Sequence, residues 1–466
     1  MIRPTVASLL LALFSLSATT IFAQPDAVSW TEGDVQKILR QRIEVEKQGV
    51  GIVVGIVDAN GKQVVGYGSM RKQAAADKAS VPDGNTVFEI GSVTKVFTSL
   101  LLADMVVRGE VALDEAATKY LPKNVSIPTR KGKKITLLDL ATHKSSLPRL
   151  PTNLSPKDAM NPYADYTVEQ LYAFLSECEL ARDIGQKVEY SNLGVGLLGH
   201  ILSLRASASY EELIVSRICK PLEMTSTSIT LSPDMQARLA TGHNPAGQEV
   251  KNWDLPTLAG AGALRSTAND MLRFVQANMG TLKSTLTQAM TEQQITRSEA
   301  DGPNSSIALG WFKLAELGNE IIWHNGQTGG YHSFVGFDKK KGVGVVVLCN
   351  SGIDIDDIGL HLINPKIPLR KPKKQRTEIQ LDAKELESYV GDYELAPTFV
   401  LSITKEGNQM MLQATGQSKN EIYAESESKF FLKVVDAQIS FVKDANGKVT
   451  QLILHQGGAN QPAKKR

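Results

Sequence analysis

The chain has 466 residues, 51 Lys and Arg against 49 Asp and Glu, a formal net charge of +2, and 42% hydrophobic residues. That length predicts two or three domains of roughly 150 residues each, and the ordinary composition excludes a disordered chain, a collagen-like fibre and a disulfide scaffold. The near-zero charge supplies no field for gripping nucleic acid. Three well-separated cysteines, Cys178, Cys219 and Cys349, allow at most one disulfide and lack the spacing of a structural zinc site.

Residues 1–23 read as a secretory signal peptide. Arg3 precedes the apolar run from Leu9 to Phe14, and Ala23 offers a small residue at the cut. The run is much shorter than the roughly 20 residues of a membrane-spanning helix, so cleavage is expected rather than anchoring. The protein is therefore expected to be exported, periplasmic or secreted, with no membrane span after signal removal. Residues 52–57 and 63–67 are β-rich runs around Asp58-Ala59-Asn60-Gly61, a hairpin signal because Asn and Gly tolerate positive φ. From Lys95 to Val107, apolar positions at Phe97, Leu100, Leu101, Ala103 and Met105 predict a buried helix ending near Gly109. The stretch 113–274 reads as mostly helical, broken by loops such as 147–151, and strands return at 320–324, 333–337 and 343–348. Strands at both ends of a helical middle predict an α+β domain over 24–363, in which the two termini build one antiparallel sheet around a helical insert. Prolines mixed with a basic run predict a stiff, solvated linker at 364–378. Over 379–466, alternating runs such as 399–404, 409–413, 429–435, 439–443 and 449–454, separated by polar turns, predict a small all-β barrel or sandwich.

The most pointed local feature is Gly91-Ser92-Val93-Thr94-Lys95, at the start of the predicted buried helix. Residues three apart in a helix share a face. A helix N-terminus favours negative charge on the serine oxygen, and a lysine of lowered pKa can take the serine proton. The spacing alone is not specific. Ser69/Lys72, Ser402/Lys405, Ser426/Lys429 and Ser440/Lys443 repeat it, but in predicted strands or turns, where the pair cannot share a buried helical face. Tyr190-Ser191-Asn192 places a phenol and an amide two apart, so both can point from one loop into a cleft. Trp323-His324-Asn325-Gly326-Gln327 ends a predicted strand among glycines, where backbone N–H groups can serve an oxyanion. His143, His200, His243 and His332 lack metal-ligand spacing and read as structural.

Together, Ser92-Val-Thr-Lys95, Tyr190-Ser-Asn192 and His324-Asn-Gly326 resemble, in order and rough spacing, the motifs of the class C β-lactamase and DD-peptidase superfamily of penicillin-recognising serine enzymes. The stretches 137–148 and 261–271 are similar to the same superfamily, and the likeness spans about residues 52–350. The C-terminal part resembles the β-rich domain appended to such hydrolases. The resemblance implies a β-lactamase/transpeptidase-like fold and an exported serine hydrolase that forms an acyl-enzyme on an amide, β-lactam or ester. It implies a small acyl substrate, no cofactor and no metal. Ser92 would be the nucleophile, with Lys95 and Tyr190 activating it and shuttling the proton. Asn192, His324, Asn325 and Gly326 would bind substrate, and the Ser92 and Gln327 N–H groups would form the oxyanion hole. A cationic Lys95 is expected to lower the Tyr190 pKa.

The third motif departs from the lactamase pattern. Class C β-lactamases resemble Lys-Thr-Gly there, whereas a histidine of pKa roughly 6.5 is mostly neutral at neutral pH and attracts a substrate carboxylate less. His-x-Gly looks more like the DD-peptidases, D-amino-acid peptidases and esterases of the superfamily. Beside the peptidase reading stand a carboxylesterase and, from another class, a non-catalytic ligand- or penicillin-binding protein that keeps the fold. The intact Ser92, Lys95, Tyr190 and Asn192 speak against the last.

Overall fold

Val343-Gly344-Val345-Val346-Val347-Leu348-Cys349 is apolar throughout, the pattern of a strand covered on both faces. The structure is a computed structural model that describes residues 29–71, 80–370, 376, 378–396, 399–415, 419–433, 437–456 and 459–466. The expected signal peptide lies outside the described residues. By contact the chain divides into two units, Met1–Arg370 and Lys371–Arg466.

The strands of the first unit are β1 (Gly51–Asp58), β2 (Gly61–Gly68), β3 (Val87–Glu89), β4 (Arg265–Thr267), β5 (Ser298–Glu299), β6 (Ser305–Ile307), β7 (Phe312–Glu316), β8 (Asn319–Gln327), β9 (His332–Asp338) and β10 (Val343–Cys349). Eight form one antiparallel sheet in the order β2-β1-β10-β9-β8-β7-β6-β5, and β3 pairs with β4. The N-terminal hairpin thus joins the C-terminal strands, as an α+β fold with a helical insert requires. β1 shows why both faces are covered. Ile52, Val54 and Ile56 pack with Val35 and Leu39 of the Glu32–Arg40 helix and with Ile358 and Leu362 of the Asp356–Ile363 helix. Val53 and Val57 belong to the opposite core, with Leu272 and Val275 of the Ala268–Met279 helix and with the Thr94–Val107 helix. The period-2 alternation of side chains along a strand produces that division.

The middle of the unit is helix broken by loops, one of them spanning the expected break at 147–151. Its elements are helical apart from β4, but many are short, such as Leu137–Ala141 and Pro233–Ala237, and long loops join them. Pro148, Pro151, Pro156 and Pro162 lie in one such loop, where each ring removes a helix donor. The expected linker at 364–378 is shorter than its composition suggested. Ile367 and Leu369 pack on the first unit's core, and the Arg370 backbone N–H donates to Asp357 at 2.9 Å. Apolar residues among the prolines found a surface to cover. Residues 371–375 and 377 lie outside the described residues.

In the second unit, β11 (Gly391–Ala396), β12 (Phe399–Glu406), β13 (Gln409–Ala414), β14 (Asn420–Ala424), β15 (Lys429–Phe431), β16 (Ala437–Lys443), β17 (Val449–Gln456) and β18 (Ala459–Lys465) close into a barrel. Leu401, Ile403, Phe430, Ile439, Phe441 and Leu452 fill its core. The Ala383–Tyr389 helix, absent from the all-β expectation, adds Leu386 and Tyr389 to that core and is capped by Asp382. All three cysteines are free thiols. No helix among the described residues is long and apolar enough to cross a membrane.

Candidate active site

The chain leaves β3, makes one 3₁₀ turn over Gly91–Val93 and enters the Thr94–Val107 helix, twelve residues of which are buried. Ser92 stands on that turn, and two glycines set its surroundings. Gly91 has φ +47°, and a Cβ there would meet Gln327 N at 2.8 Å. A Cβ at Gly326 would lie 2.0 Å from Ile90 O and 2.8 Å from Ser92 N. The end of β8 therefore runs against the Ser92 turn at a distance only glycine permits. β7 pairs with β8 only as far as Trp323, which leaves the edge of residues 324–327 to face the turn. Ser333 on β9 donates to Ile90 O at 2.8 Å and ties the turn to the sheet.

One helical turn on, Lys95 is completely buried. Its Nζ donates to Ser92 Oγ at 2.9 Å and to Ala261 O at 2.7 Å, and lies 4.8 Å from the centre of the Tyr190 ring. Burial, with a smaller contribution from the Arg149 charge, holds its pKa well below the usual lysine range. The segment around Ala261 is fixed by Thr98, which donates to Gly260 O at 2.7 Å, and by the Leu264 N–H, which donates to Thr94 Oγ1 at 3.2 Å.

Tyr190 comes from the loop before the Asn192–Ala206 helix. Ser191 caps that helix by accepting from the Gly194 N–H at 2.9 Å, and its hydroxyl donates to Pro148 O at 2.7 Å. The Ser191 N–H donates to His143 Nδ1 at 3.2 Å, and the His143 ring packs 4.5 Å from the Tyr190 ring. The Asn192 and Leu193 N–H groups donate to Arg149 O at 3.0 and 3.2 Å. Burial pushes the Tyr190 pKa up, outweighing a hydrogen bond with Ser92 and the Arg149 charge, which pull it down. The expected lowering of the Tyr190 pKa is thus overturned, because burial disfavours phenolate.

His324 on β8 is fully buried, 5.4 Å from the Phe312 ring and 6.3 Å from the Tyr190 ring. Its Nδ1–H donates to Asn325 O at 2.5 Å. Burial, then the Lys95 charge, brings its pKa down to about 3, so it carries no charge at neutral pH. Among the described residues its Nε2 has no hydrogen-bond partner, nor have His143 Nε2 and Asn192 Oδ1, which leaves three buried polar atoms open. Asn325, expected to face substrate, is turned away. Its amide donates to Asp356 at 2.6 Å and the Gln327 amide to Gly352 O at 3.0 Å, because alternate residues of a strand point to opposite faces. His332, Asp354 and Asp356 bring ligand atoms within 4.8 Å of one another, but Asp356 is engaged by His332 and Asn325 and Asp354 by Arg370.

The structure therefore brings together Ser92, Lys95, Tyr190, His324, Gly326 and the Gln327 backbone, with Asn192 opening the helix that follows Tyr190. Sequence reasoning passed over His143, Arg149 and the Ala261 carbonyl as parts of this cluster. The stretches 137–148 and 261–271, distinctive in the sequence, were the signal for two of them. A cavity of about 510 Å³ opens beside the Tyr190 loop, lined in part by Pro148, Phe174, Cys178 and Glu189. A serine oxygen beside a buried amine of lowered pKa, a protonated phenol and backbone N–H groups has the parts for acyl transfer.

Comparison with known proteins agrees with this chemistry. The family model Beta-lactamase matches residues 35–360, and a domain of unknown function, DUF3471, matches 375–464. The D-alanyl-D-alanine-carboxypeptidase/endopeptidase AmpH of Escherichia coli (strain K12) is 27% identical, over 72% of this chain and 88% of its own. A β-lactamase of Psychrobacter immobilis is 29% identical, over 75% of this chain and 90% of its own. Among solved structures, the octameric penicillin-binding protein homologue from Pyrococcus abyssi is 20% identical with a TM-score of 0.63, covering 93% of this chain and 100% of its own.

Proposed function

The chain belongs to the β-lactamase family, as a serine hydrolase, and on that premise we propose that it is an exported amide hydrolase of the DD-carboxypeptidase or D-amino-acid-peptidase type, acting through an acyl-enzyme on Ser92. The observation that carries the reading is Lys95. A fully buried amine that reaches the serine oxygen at 2.9 Å, with its pKa held down by burial, is placed to take the serine proton.

In this reading Lys95 takes the Ser92 proton as Oγ attacks the substrate carbonyl carbon. The developing oxyanion rests on the Ser92 and Gln327 N–H groups, which Gly91 and Gly326 allow to lie side by side. Tyr190 stays protonated and hands its proton to the departing amine, recovering one from Lys95 as the tetrahedral intermediate collapses to the ester. Water then attacks the ester with the same groups in reverse. The open Asn192 Oδ1 accepts the substrate amide N–H. Neutral His324, where lactamases resemble a permanent cation, favours peptidase over efficient lactamase action.

Labelling by a fluorescent penicillin and release of D-alanine from an N-acyl-D-Ala-D-Ala peptide test the proposal. Wild type should show both and Ser92→Ala neither. Wild type with no labelling and no turnover of any acyl substrate overturns the acyl-enzyme reading. Faster turnover of nitrocefin than of the peptide overturns the peptidase assignment, and turnover of esters alone transfers the protein to the carboxylesterases. Export is checked by the mass of the N-terminus in the envelope fraction, expected to begin at Gln24.

A further inference from the structure

We infer that Arg149 receives an anionic group of the substrate, a carboxylate, at the mouth of this site. The inference rests on the acyl-enzyme reading and adds the substrate's charge to it. Inside the cluster Lys95, His143 and His324 are all buried, and burial pulls the pKa of each down, so none presents a solvent-facing cation to a substrate. Arg149 is different. Its side chain is exposed, and its guanidinium lies over the Tyr190 ring, 5.0 Å from the ring centre. Its backbone is fixed by the two N–H groups that open the Asn192–Ala206 helix. Its charge reaches Lys95 and His143, where it adds to the lowering by burial, and Tyr163 and Tyr190, where it opposes the raising by burial.

The cations flanking these segments are already engaged: Arg182 with Glu189, Lys187 with Asp301 and Lys313 with Glu320. Among the described residues the Arg149 guanidinium has neither an ion pair nor a hydrogen bond. Its N–H groups are therefore available to a ligand. Those groups match the two oxygens of a carboxylate. A substrate acylating Ser92 beneath Tyr190 thus meets this positive charge at the entrance, from the loop rather than from β8.

The test compares the full chain with Arg149→Gln and Arg149→Lys. Three fluorescent probes of Ser92 are used: a penicillin with its free carboxylate, the same penicillin as methyl ester, and a neutral fluorophosphonate. The ratio of labelling rates, free acid over methyl ester, should fall at least about tenfold in Arg149→Gln, the usual size for a hydrogen bond to a charged group, with Arg149→Lys between. Raising the salt concentration should lower that ratio in wild type and not in Arg149→Gln. An unchanged ratio in Arg149→Gln, while the fluorophosphonate still labels Ser92, overturns the role of Arg149 and leaves the acyl-enzyme reading standing. Wild type that none of the three probes labels overturns both.

Discussion

Ser92 and Lys95 stand three residues apart, and so do Ser440 and Lys443 in the barrel, yet the two pairs are chemically opposite. Across the 3₁₀ turn that opens the Thr94–Val107 helix the first pair meets at 2.9 Å, and burial pushes the lysine pKa down. On β16 the second pair is split. Ser440 bonds His455 at 2.9 Å, Lys443 bonds Glu385 at 2.5 Å, and that carboxylate pushes the lysine pKa up. The contrast extends to the whole of each unit. Among the described residues the barrel buries no charged side chain or histidine, whereas the hydrolase unit buries Lys95, His143 and His324 around one tyrosine. Spacing supplies the residues of a site, and desolvation converts them into a base and an acid.

The comparison breaks first, if it is wrong, at the two lysines. Lys95→Met should lower the rate of Ser92 acylation about 10²–10⁴-fold, the usual contribution of a general base, while Lys443→Met should leave the penicillin labelling rate unchanged. A comparable loss at Lys443 would refute the distinction. Gly326→Ala comes next. Its methyl would lie 2.0 Å from Ile90 O, forcing β8 off the Ser92 turn, with a loss equal to one oxyanion donor, about 2.7–4 kcal/mol in the acylation barrier. Stopped-flow labelling reads it, and an unaltered rate would remove the Gln327 N–H from the mechanism. Tyr190→Phe should reduce amide turnover about 10²-fold and turnover of a p-nitrophenyl ester much less, because that leaving group departs without a proton. Equal losses on both would mean that Tyr190 does not protonate the leaving group.

The smallest expected effect is on stability against pH. The folded pKa of His324 is about 3 and its unfolded value roughly 6.5. Between those values the unfolded chain binds a proton that the native site refuses, so stability falls as pH drops through that window. This one group contributes a slope of up to about 1.4 kcal/mol per pH unit. Urea unfolding of His324→Phe should show a flatter dependence between pH 6.5 and 4 by that amount, and an unchanged slope would mean that the histidine is charged in place.

Much of the fold was legible because its signals are local. The continuous apolar run of β10, the hairpin of β1 and β2 and the buried helix after Ser92 each follow from residues adjacent in the chain. The barrel was harder. β18 is Ala459-Asn460-Gln461-Pro462-Ala463-Lys464-Lys465, with no strand pattern, and is a strand because β17 and β11 on either side accept it. The Ala383–Tyr389 helix is short, and Leu386 and Tyr389 have meaning only once the barrel core exists to receive them. The same holds in the site. Ser92, Lys95, Tyr190 and His324 were readable from motif and spacing, whereas Arg149 and the Ala261 carbonyl reach the cluster only through chain folding.

The sequence by itself determined the α+β class, the family and the residues brought to the chemistry, since periodicity, turn residues and motif order are written along the chain. Tertiary structure alone decided that burial lowers the pKa of Lys95 and leaves His324 neutral, that Tyr190 keeps its proton, that Asn325 serves Asp356 instead of the cleft, and that Arg149 lies over the Tyr190 ring. The reason is physical. Secondary structure answers to neighbours a few residues away, but a pKa answers to every group within a few ångströms, and in a folded chain those groups come from anywhere along it.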